Sequence, residues 1–376
     1  MTKTRLAAPL LGATSILCFA SPSLAQTNWT LSLGGYFYGV AIARRQDNPQ
    51  GVDVRNYDFN QYGIYTFSAE NALENGLTIG FTNGFEMDSS LSTDTSQIFA
   101  EGGFGRVEFG TDWSAAYNTH LFPPTAGWGI DDPDQADVFL PTNDLASPAG
   151  NQVPATSPYL SNKYMKITYY TPRFAGVQLG ASFTPDTRSA DGASGPYVGQ
   201  NNRFVTDENQ LDQLKNVVSL AANYATELDG IGLSLAASLE TAETTSLLRS
   251  ATADSASRRN GYNLSALVES GGFAIGAAYG YDDFGLEHYR QHNVAAGLTY
   301  SVGPWTVGPA FSAMIEDGSG SDERKTYMTE WGATYHLTPG VDLIGSVWYA
   351  RFRKGDDTAA DNGDGLAGLF GVNLNF

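Results

Sequence analysis

The stretch that decides the fold is the C-terminal GLFGVNLNF, residues 368–376, in which apolar and polar residues alternate up to Phe376. A period of two places successive side chains on opposite faces of a β-strand. Chain ends are usually frayed and polar, so this end indicates a strand that is paired along its whole length. The residues expected on its apolar side, which would face lipid if the strand crosses a membrane, are Phe370, Val372, Leu374 and Phe376.

The same alternation recurs along the chain, for example in NWTLSLGGYFYGVAIA (28–43), IGLSLAASLE (231–240) and WTVGPAFSAMI (305–315). Strands of about 9–11 residues match one tilted crossing of a bilayer. Seven short turns alternate with eight longer polar connections and separate sixteen predicted strands. These cover residues 28–42, 53–70, 76–87, 95–101, 104–112, 161–171, 174–184, 213–227, 230–240, 258–269, 272–281, 289–300, 304–315, 325–336, 340–352 and 365–376.

This pattern predicts an all-β protein, a 16-stranded antiparallel transmembrane β-barrel. Backbone N–H and C=O groups inside lipid need partners, and an open sheet would leave both of its edges unpaired. Closure therefore requires the first and last strands to pair with each other. A soluble β-sandwich also has alternating strands, but it rarely needs sixteen of them or an opposite face this rich in Gly and Ser.

Composition and the N-terminus restrict the class of protein further. The 376 residues carry a formal charge of −19, with 42 Gly, 20 Tyr and 20 Phe, and this acidic balance argues against nucleic acid as a partner. Residues 1–25 have a basic start, a short apolar run and small residues before Gln26, the pattern of a secretory signal peptide cleaved after Ala25. The mature chain, 26–376, would lack cysteine, because Cys18 leaves with the signal.

Several pieces of the chain, in their order and spacing, resemble Gram-negative general porins of the alphaproteobacterial type. They are AENALENGLTIGF (69–81), FAEGGFGRVEFGTDWSAAYN (99–118), ITYYTPRFAGVQLGASF (167–183) and the C-terminal GLFGVNLNF. The resemblance implies an outer-membrane homotrimer whose barrels pass small hydrophilic solutes by diffusion. The terminal strand also resembles the signal by which the barrel-assembly machinery recognises its clients.

The resemblance further implies a long third loop that folds into the lumen and narrows it. The candidate is the connection 113–160, the longest of the chain, since connections of this length usually have a function. Its expected constriction residues are Asp131, Asp132, Asp134, Asp137 and Asp144. A solvated acidic loop is the alternative reading of these residues.

The wall opposite this loop is expected to carry the basic residues of the pore. The pore-wall candidates are Arg44, Arg55, Arg106, Glu108, Lys166 and Tyr170. Thr111, Asn60 and Gln61 stand where the family carries further basic residues. A reduced basic cluster beside an acidic loop predicts a preference for cations, because fixed negative charge raises the local cation concentration.

The sequence is also compatible with other functions. A sugar-selective channel is compatible with the inward Tyr36, Tyr38 and Tyr170, whereas few inward cations disfavour a phosphate channel. A barrel enzyme is a remote alternative, since the chain has four His and no G-x-S-x-G motif. No cofactor is expected.

Metal binding is a minor alternative. The acidic runs 131–137 and 356–365 could supply oxygens to Ca²⁺, although neither matches a defined calcium loop. His288 and His292 are four residues apart in a stretch that reads as strand and loop, where this spacing does not indicate a metal site.

Overall fold

A computed structural model describes residues 29–47, 55–87, 91–131, 138–139, 154–187, 214–244, 257–318, 323–354 and 362–376. The predicted signal peptide lies outside these residues. The strands are β1 (Trp29–Gln46), β2 (Tyr57–Ala72), β3 (Thr78–Met87), β4 (Leu91–Gly102), β5 (Gly105–Thr111), β6 (Met165–Tyr170), β7 (Val177–Asp186), β8 (Leu214–Leu228), β9 (Ile231–Thr244), β10 (Arg258–Ser270), β11 (Phe273–Asp282), β12 (Arg290–Val302), β13 (Trp305–Asp317), β14 (Arg324–Thr338), β15 (Val341–Lys354) and β16 (Gly363–Asn375).

The strands form a closed antiparallel barrel in which every strand pairs with its neighbours in sequence and β1 pairs with β16. The closing register runs from Tyr36 opposite Asn375 to Gln46 opposite Gly365. At the last residue, Phe376 N donates to Gly35 O (3.1 Å) and Gly35 N donates to Phe376 O (3.0 Å). The predicted full-length pairing of the terminal strand is therefore confirmed.

Each strand has one exposed apolar face and one opposite face, which we call the polar face. The apolar face presents large side chains such as Phe59 (78% exposed), Trp331 (68%) and Phe370 (61%). Leu374 is also exposed, while Val372 and Phe376 are half-buried, and the Phe376 ring lies 5.3 Å from that of Tyr65. The alternation read from the sequence thus separates the two faces of the barrel wall.

Several strands begin at different places from those predicted, and the largest shifts, of four residues, are at β2, β4 and β6. β4 begins at Leu91 rather than near 95, so residues 91–94 of the predicted loop are strand, and a register shift lies between Gly84 and Phe85. β6 begins at Met165 rather than near 161, because residues 161–164 form a turn in which Asn162 adopts a positive φ of 34°. Alternation alone does not mark either feature, since both depend on the neighbouring strand.

Tight turns connect the strands at one end of the barrel. Between β10 and β11 the two-residue turn Gly271-Gly272 has φ values of 57° and 86°, the left-handed conformation that glycine adopts without steric cost. The described helix α1 (Ala115–Thr119) has five residues. No described helix is long and apolar enough to span a membrane.

Candidate functional site

The candidate site is the long connection between β5 and β6, residues 112–164. Its described parts are an outgoing limb (112–131), the pair Val138–Phe139, and a return limb (154–164). The outgoing limb begins with α1, for which Ser114 is the N-cap and accepts a bond from Tyr117 N (3.3 Å). This cap satisfies one of the free N–H groups of the first turn and fixes where the helix begins.

Small polar side chains of the wall hold the first part of the outgoing limb. Each accepts a hydrogen bond from a backbone N–H of the limb. The bonds are Ala115 N to Ser182 Oγ on β7 (2.7 Å), Ala116 N to Ser219 Oγ on β8 (3.0 Å) and Leu121 N to Ser265 Oγ on β10 (3.1 Å). Backbone groups of the limb that would otherwise be buried without partners are thereby satisfied.

The second part of the outgoing limb, residues 126–130, is bonded to β13, β14 and β15, whose side chains both accept from its N–H groups and donate to its carbonyls. The central acceptor is Glu330, which is fully buried and also accepts bonds from Ser346 Oγ (2.7 Å) and Trp348 Nε1 (2.9 Å). The bonds to the limb are Thr334 Oγ1 to Ala126 O (3.0 Å), Trp128 N to Ser346 Oγ (3.0 Å), Gly129 N to Glu330 (3.2 Å) and Ser312 Oγ to Ile130 O (2.6 Å). The outgoing limb therefore follows the polar face from β7 to β15.

Wall glycines let the backbone of the limb touch the backbone of the wall. A Cβ on Gly297 of β12 would lie 2.0 Å from Pro124 O, and one on Gly332 of β14 would lie 2.3 Å from Gly127 N. Neither neighbour is a flexible side chain. Glycine is thus required at both positions by close approach rather than by a turn.

An apolar cluster anchors the limb beyond these bonds. Ile130, Val138 and Phe139 pack against buried wall residues that include Trp348 and Phe352. The Phe139 and Phe352 rings are 6.5 Å apart. Side chains of this type on the polar face are unexpected from alternation, and their burial under the long connection explains them.

A buried polar cluster joins both limbs to β10. His120 Nδ1 lies 2.9 Å from Asn263 Oδ1, and His120 Nε2 lies 3.1 Å from Thr156 Oγ1 of the return limb. Thr156 also contacts Asp131, through its Oγ1 (2.5 Å) and its N–H (2.8 Å). Burial lowers the pKa of the His120 imidazole to about 4, against a smaller opposing effect of the Asn263 bond.

The two ends of the long connection meet at a buried lysine. Lys166 is 2% exposed, and its Nζ donates to the carbonyls of Asp112, Asn162 (2.8 Å) and Tyr164 (2.6 Å). Burial, together with the nearby Glu108 charge, raises the pKa of the Asp112 carboxyl to about 6, while the Trp113 N–H and Lys166 oppose this shift. Lys166 is thus a buried junction between both ends of the connection.

Of the five acidic residues predicted to constrict the pore, Asp131 is the one that lies among the described residues. Asp131 is 7% exposed and accepts the two bonds from Thr156. Asp132, Asp134, Asp137 and Asp144 lie outside the described residues, as does most of both acidic runs considered for Ca²⁺.

The predicted wall residues are placed as follows. Arg44 donates to Val138 O (2.8 Å) and Arg55 O (3.1 Å), while the Arg55 side chain is exposed. Arg106 pairs with Glu108 (2.6 Å) and with Glu101 (2.9 Å). Tyr170, the remaining candidate, is half-buried and its hydroxyl accepts a bond from Asn118 Nδ2 (3.0 Å).

The polar face of β1 to β5 carries a group of aromatic and acidic side chains. The ring centre of Tyr38 lies 5.9 Å from that of Tyr62 and 5.1 Å from that of Trp128 on the outgoing limb. The Tyr62 hydroxyl donates a hydrogen bond to Glu86 Oε1 (2.8 Å). Cross-strand pairing places two Arg of the described residues, Arg44 and Arg106, on this face together with five acids. A sixth acid, Asp94, lies at the register shift of β4 and pairs with Lys163 of the return limb. The acids are Asp58, Glu70, Glu86, Asp94, Glu101 and Glu108.

Sequence reasoning missed several of these residues. Glu330, Tyr62 and the wall serines share the polar face by strand parity, so parity could have assigned them to that face. It gave no sign that Ser182 or Ser346 bonds the backbone of the long connection, because those partners are far apart along the chain.

A family model for Gram-negative porins matches residues 12–356. The chain belongs to the Gram-negative porin family. Family and closed barrel together establish an outer-membrane porin channel, and they point to a channel rather than an enzyme.

The porin is similar in fold to several solved structures. One is a loop-deletion mutant of OmpT, an outer membrane protein of Vibrio cholerae, with 9% identity, a TM-score of 0.58, and coverage of 93% of the porin and 100% of that chain. Another is an anion-selective porin from Comamonas acidovorans, with 15% identity, a TM-score of 0.58, and coverage of 93% and 99%. A mutant of the Rh. blastica porin has 16% identity, a TM-score of 0.53, and coverage of 92% and 100%. No curated protein matches the porin.

Proposed function

We propose that the porin passes ions and small hydrophilic solutes by diffusion, and that its long connection lies in the lumen and narrows it. The observation that carries this proposal is the path of the outgoing limb, which is bonded to the polar face from β7 to β15. In a porin the polar face is the one turned away from lipid. Beyond β15 the connection also contacts β1, through Tyr38 and Arg44. What remains as the main wall of the aqueous path is the polar face of β2 to β5, together with the part of β1 that the connection does not cover.

This wall gives the pore a preference for cations. Six carboxylates share it with Arg44, Arg106 and Lys163. Arg106 is already paired with two of the acids and Lys163 with a third, Asp94. Lys166, bonded to three carbonyls, is buried away from the path. The excess of negative charge favours cations near the wall. Anion selectivity belongs to the Comamonas porin by its description and is not carried over.

Reversal potentials in a KCl gradient test this preference. The wild-type porin should give the sign of a cation-preferring channel. The double variant Asp58→Asn, Glu70→Gln should move the potential toward zero, because it removes two of the six acids. Glu243→Gln is the matched control, since Glu243 is half-exposed and paired with Arg258 at the far end of β9. A wild-type potential of anion-preferring sign contradicts the proposal.

Diffusion by size is tested by liposome swelling with a graded series of polyols and sugars. A general pore orders these solutes by size alone. The rings of Tyr36, Tyr38 and Tyr62 are the surface on which a sugar could stack. A disaccharide that enters faster than a polyol of smaller size would therefore favour the sugar-selective alternative.

The proposed partners are two further copies of the chain, outer-membrane lipid and the barrel-assembly machinery. Small side chains on the apolar face, among them the exposed Ala277 and the half-buried Ala333, allow close packing between copies. Light scattering of the detergent-solubilised porin should give the mass of three chains. A monomeric mass contradicts the trimer without affecting the channel.

The proposed assembly signal consists of Phe370, Val372, Leu374 and Phe376. Phe376→Ala keeps both backbone bonds to Gly35 but loses the ring contact with Tyr65. The folded yield in the outer membrane should fall, whereas Asn375→Ala, on the other face of β16, should leave it near the wild-type level. Equal yields from the two variants contradict a specific role of the terminal ring.

A further inference from the structure

We propose that His120, Thr156 and Asp131 share one proton more than a neutral imidazole and an ionised carboxylate would hold, and that this proton fastens the two limbs of the long connection. The three side chains lie on the outgoing limb, the return limb and the end of the outgoing limb, respectively. The inference rests on the proposed function only for its consequence in the lumen, since the proton count follows from hydrogen-bond geometry.

The orientation of Asn263 determines which nitrogen of His120 carries a hydrogen. Its Nδ2 donates both hydrogens to backbone carbonyls, those of Thr156 (2.7 Å) and Tyr279 (2.9 Å). Its Oδ1 is therefore the acceptor facing His120 Nδ1 at 2.9 Å. Because an amide oxygen cannot donate, His120 must carry a hydrogen on Nδ1.

The hydroxyl of Thr156 has one hydrogen but two neighbouring atoms. Both neighbours are hydrogen-bond acceptors when the imidazole is neutral and the carboxylate is ionised. These neighbours are His120 Nε2 at 3.1 Å and Asp131 Oδ2 at 2.5 Å. With a neutral imidazole and an ionised carboxylate, one of the two contacts has no hydrogen and sets two lone pairs against each other. Both contacts become hydrogen bonds when one proton is added.

The added proton has two balanced positions. On Asp131, the carboxyl group donates to Thr156 Oγ1, which donates in turn to His120 Nε2. On His120, Nε2–H donates to Thr156 Oγ1, which donates to the Asp131 carboxylate. Burial opposes charge on His120 and lowers the pKa of its imidazole to about 4, which favours the position on Asp131.

Several neighbouring elements pack against this cluster. The Phe122 ring lies 4.4 Å from His120, and Gly280 of β11 packs against the Thr156 backbone. Asn293 of β12 bonds Ala155 N (3.4 Å). Among the described residues, the acids of the adjoining polar face include Glu240 on β9, which accepts from Leu160 N (2.8 Å) of the return limb, Glu316 on β13, which faces Arg324 (3.8 Å), and Glu330 on β14.

The shared proton makes the link between the limbs sensitive to pH. When the limbs separate, His120 is exposed to water, where an imidazole has a pKa of about 6.5, and Asp131 ionises. Above about pH 6.5 the linked arrangement therefore holds a proton that the separated one has lost, so rising pH weakens the link. The site is a proton-dependent fastener on the segment that we place in the lumen.

Histidine ¹⁵N and aspartate ¹³C NMR of the full chain in detergent count the proton directly. His120→Gln assigns the His120 signals against those of the other three histidines. We expect either a doubly protonated His120, or a neutral Nδ1–H His120 with a protonated Asp131 carboxyl. A neutral imidazole together with an ionised Asp131 carboxylate in the linked protein overturns the proposal. This measurement needs no permeation, so its failure is distinguishable from failure of the proposed function.

Amide hydrogen exchange at Thr156, whose N–H donates to Asp131, reports the link. In the wild type, raising the pH above the imidazole range should reduce protection about three- to tenfold beyond intrinsic base catalysis, the effect of one lost hydrogen bond. Asp131→Asn supplies the hydrogen permanently through its Nδ2 and should stay protected throughout. Thr156→Val keeps the N–H donor but loses the hydroxyl between His120 and Asp131, so its protection should show no step across the imidazole range.

The matched control is Asp342→Asn, which removes the acid of a second His–Asp pair, His336 with Asp342 at 2.7 Å. His336 is half-exposed near the turns, so the control should keep the wild-type response at Thr156. A wild-type pH response in Asp131→Asn, or its loss in Asp342→Asn, contradicts the proposal.

Discussion

At the scale of single residues, buried charges on the polar face are bonded to backbone groups of the long connection. Lys166 donates to three carbonyls at its two ends, and Glu330 accepts from Gly129 N. Charges removed from water need this kind of compensation. These two side chains therefore hold the long connection in position as well as contributing to the charge of the pore.

Lys166→Met should loosen both ends of the long connection. The change leaves up to three buried carbonyls without their donor, at about 1–3 kcal/mol for each one that water cannot reach. Proteolysis of the folded porin, mapped by mass spectrometry, should show faster cleavage within 112–164. Lys325→Met, at a half-exposed ion pair with Glu323, is the control and should be cleaved like the wild type.

Asp112→Asn should stabilise the porin at neutral pH. The folded-state pKa of Asp112 is about 6, raised mainly by burial, so ionisation costs the folded state stability as pH rises from about 4 to 6 and above. Asparagine keeps the oxygen that accepts from Trp113 N (2.7 Å) without that cost. Thermal unfolding followed by circular dichroism should show a gain at neutral pH that disappears below about pH 4.

The exposed Glu74 provides the comparison for Asp112. Glu74→Gln should unfold like the wild type across the same pH range. A gain in Asp112→Asn that is the same at acid and neutral pH would show that packing, and not ionisation, is responsible.

At the scale of elements, the strands β7 to β15 place small residues where the backbone of the outgoing limb lies closest to them. Serines meet its N–H groups, and glycines meet its carbonyls and α-carbons. Because β-strand side chains stand away from the wall, only the smallest ones allow the limb to lie directly on it. The wall therefore determines how far the limb extends from it.

Gly332→Ala should push the limb away from β14 toward the centre of the barrel. The new Cβ would lie 2.3 Å from Gly127 N and 2.6 Å from Ala126 C, so the backbone of the limb must move. Single-channel conductance should fall. Gly368→Ala on β16 meets nothing within 4 Å and is the matched control; a fall in both variants, or in neither, contradicts the proposed position of the limb.

At the scale of the whole molecule, selectivity depends on the summed charge of the aqueous path. Fixed charges act across about 10 Å at 0.1 M salt but only about 3 Å at 1 M. The cation preference should therefore decline as salt is raised at a constant gradient ratio, and reversal potentials measure this decline. A preference that is unchanged at high salt would indicate discrimination by direct contact instead.

Much of the fold could be predicted from the sequence, because alternation and turn residues are local signals. All sixteen strands and the pairing of β1 with β16 were expected. The position of Asp131 was not accessible in this way, because His120 and Asn263, which complete its cluster, are 143 residues apart. The expected acidic constriction beyond Asp131 stays a prediction.

The sequence by itself determined the number of strands, their two faces and the need for closure, since each follows from a period of two and from backbone groups that lipid cannot satisfy. Only the tertiary structure decided that Lys166 bonds carbonyls, and that His120 meets Asp131 through Thr156. The physical reason is that these contacts join distant segments across a curved wall. Their hydrogen-bond partners are decided by approach in space and leave no periodic trace in the chain.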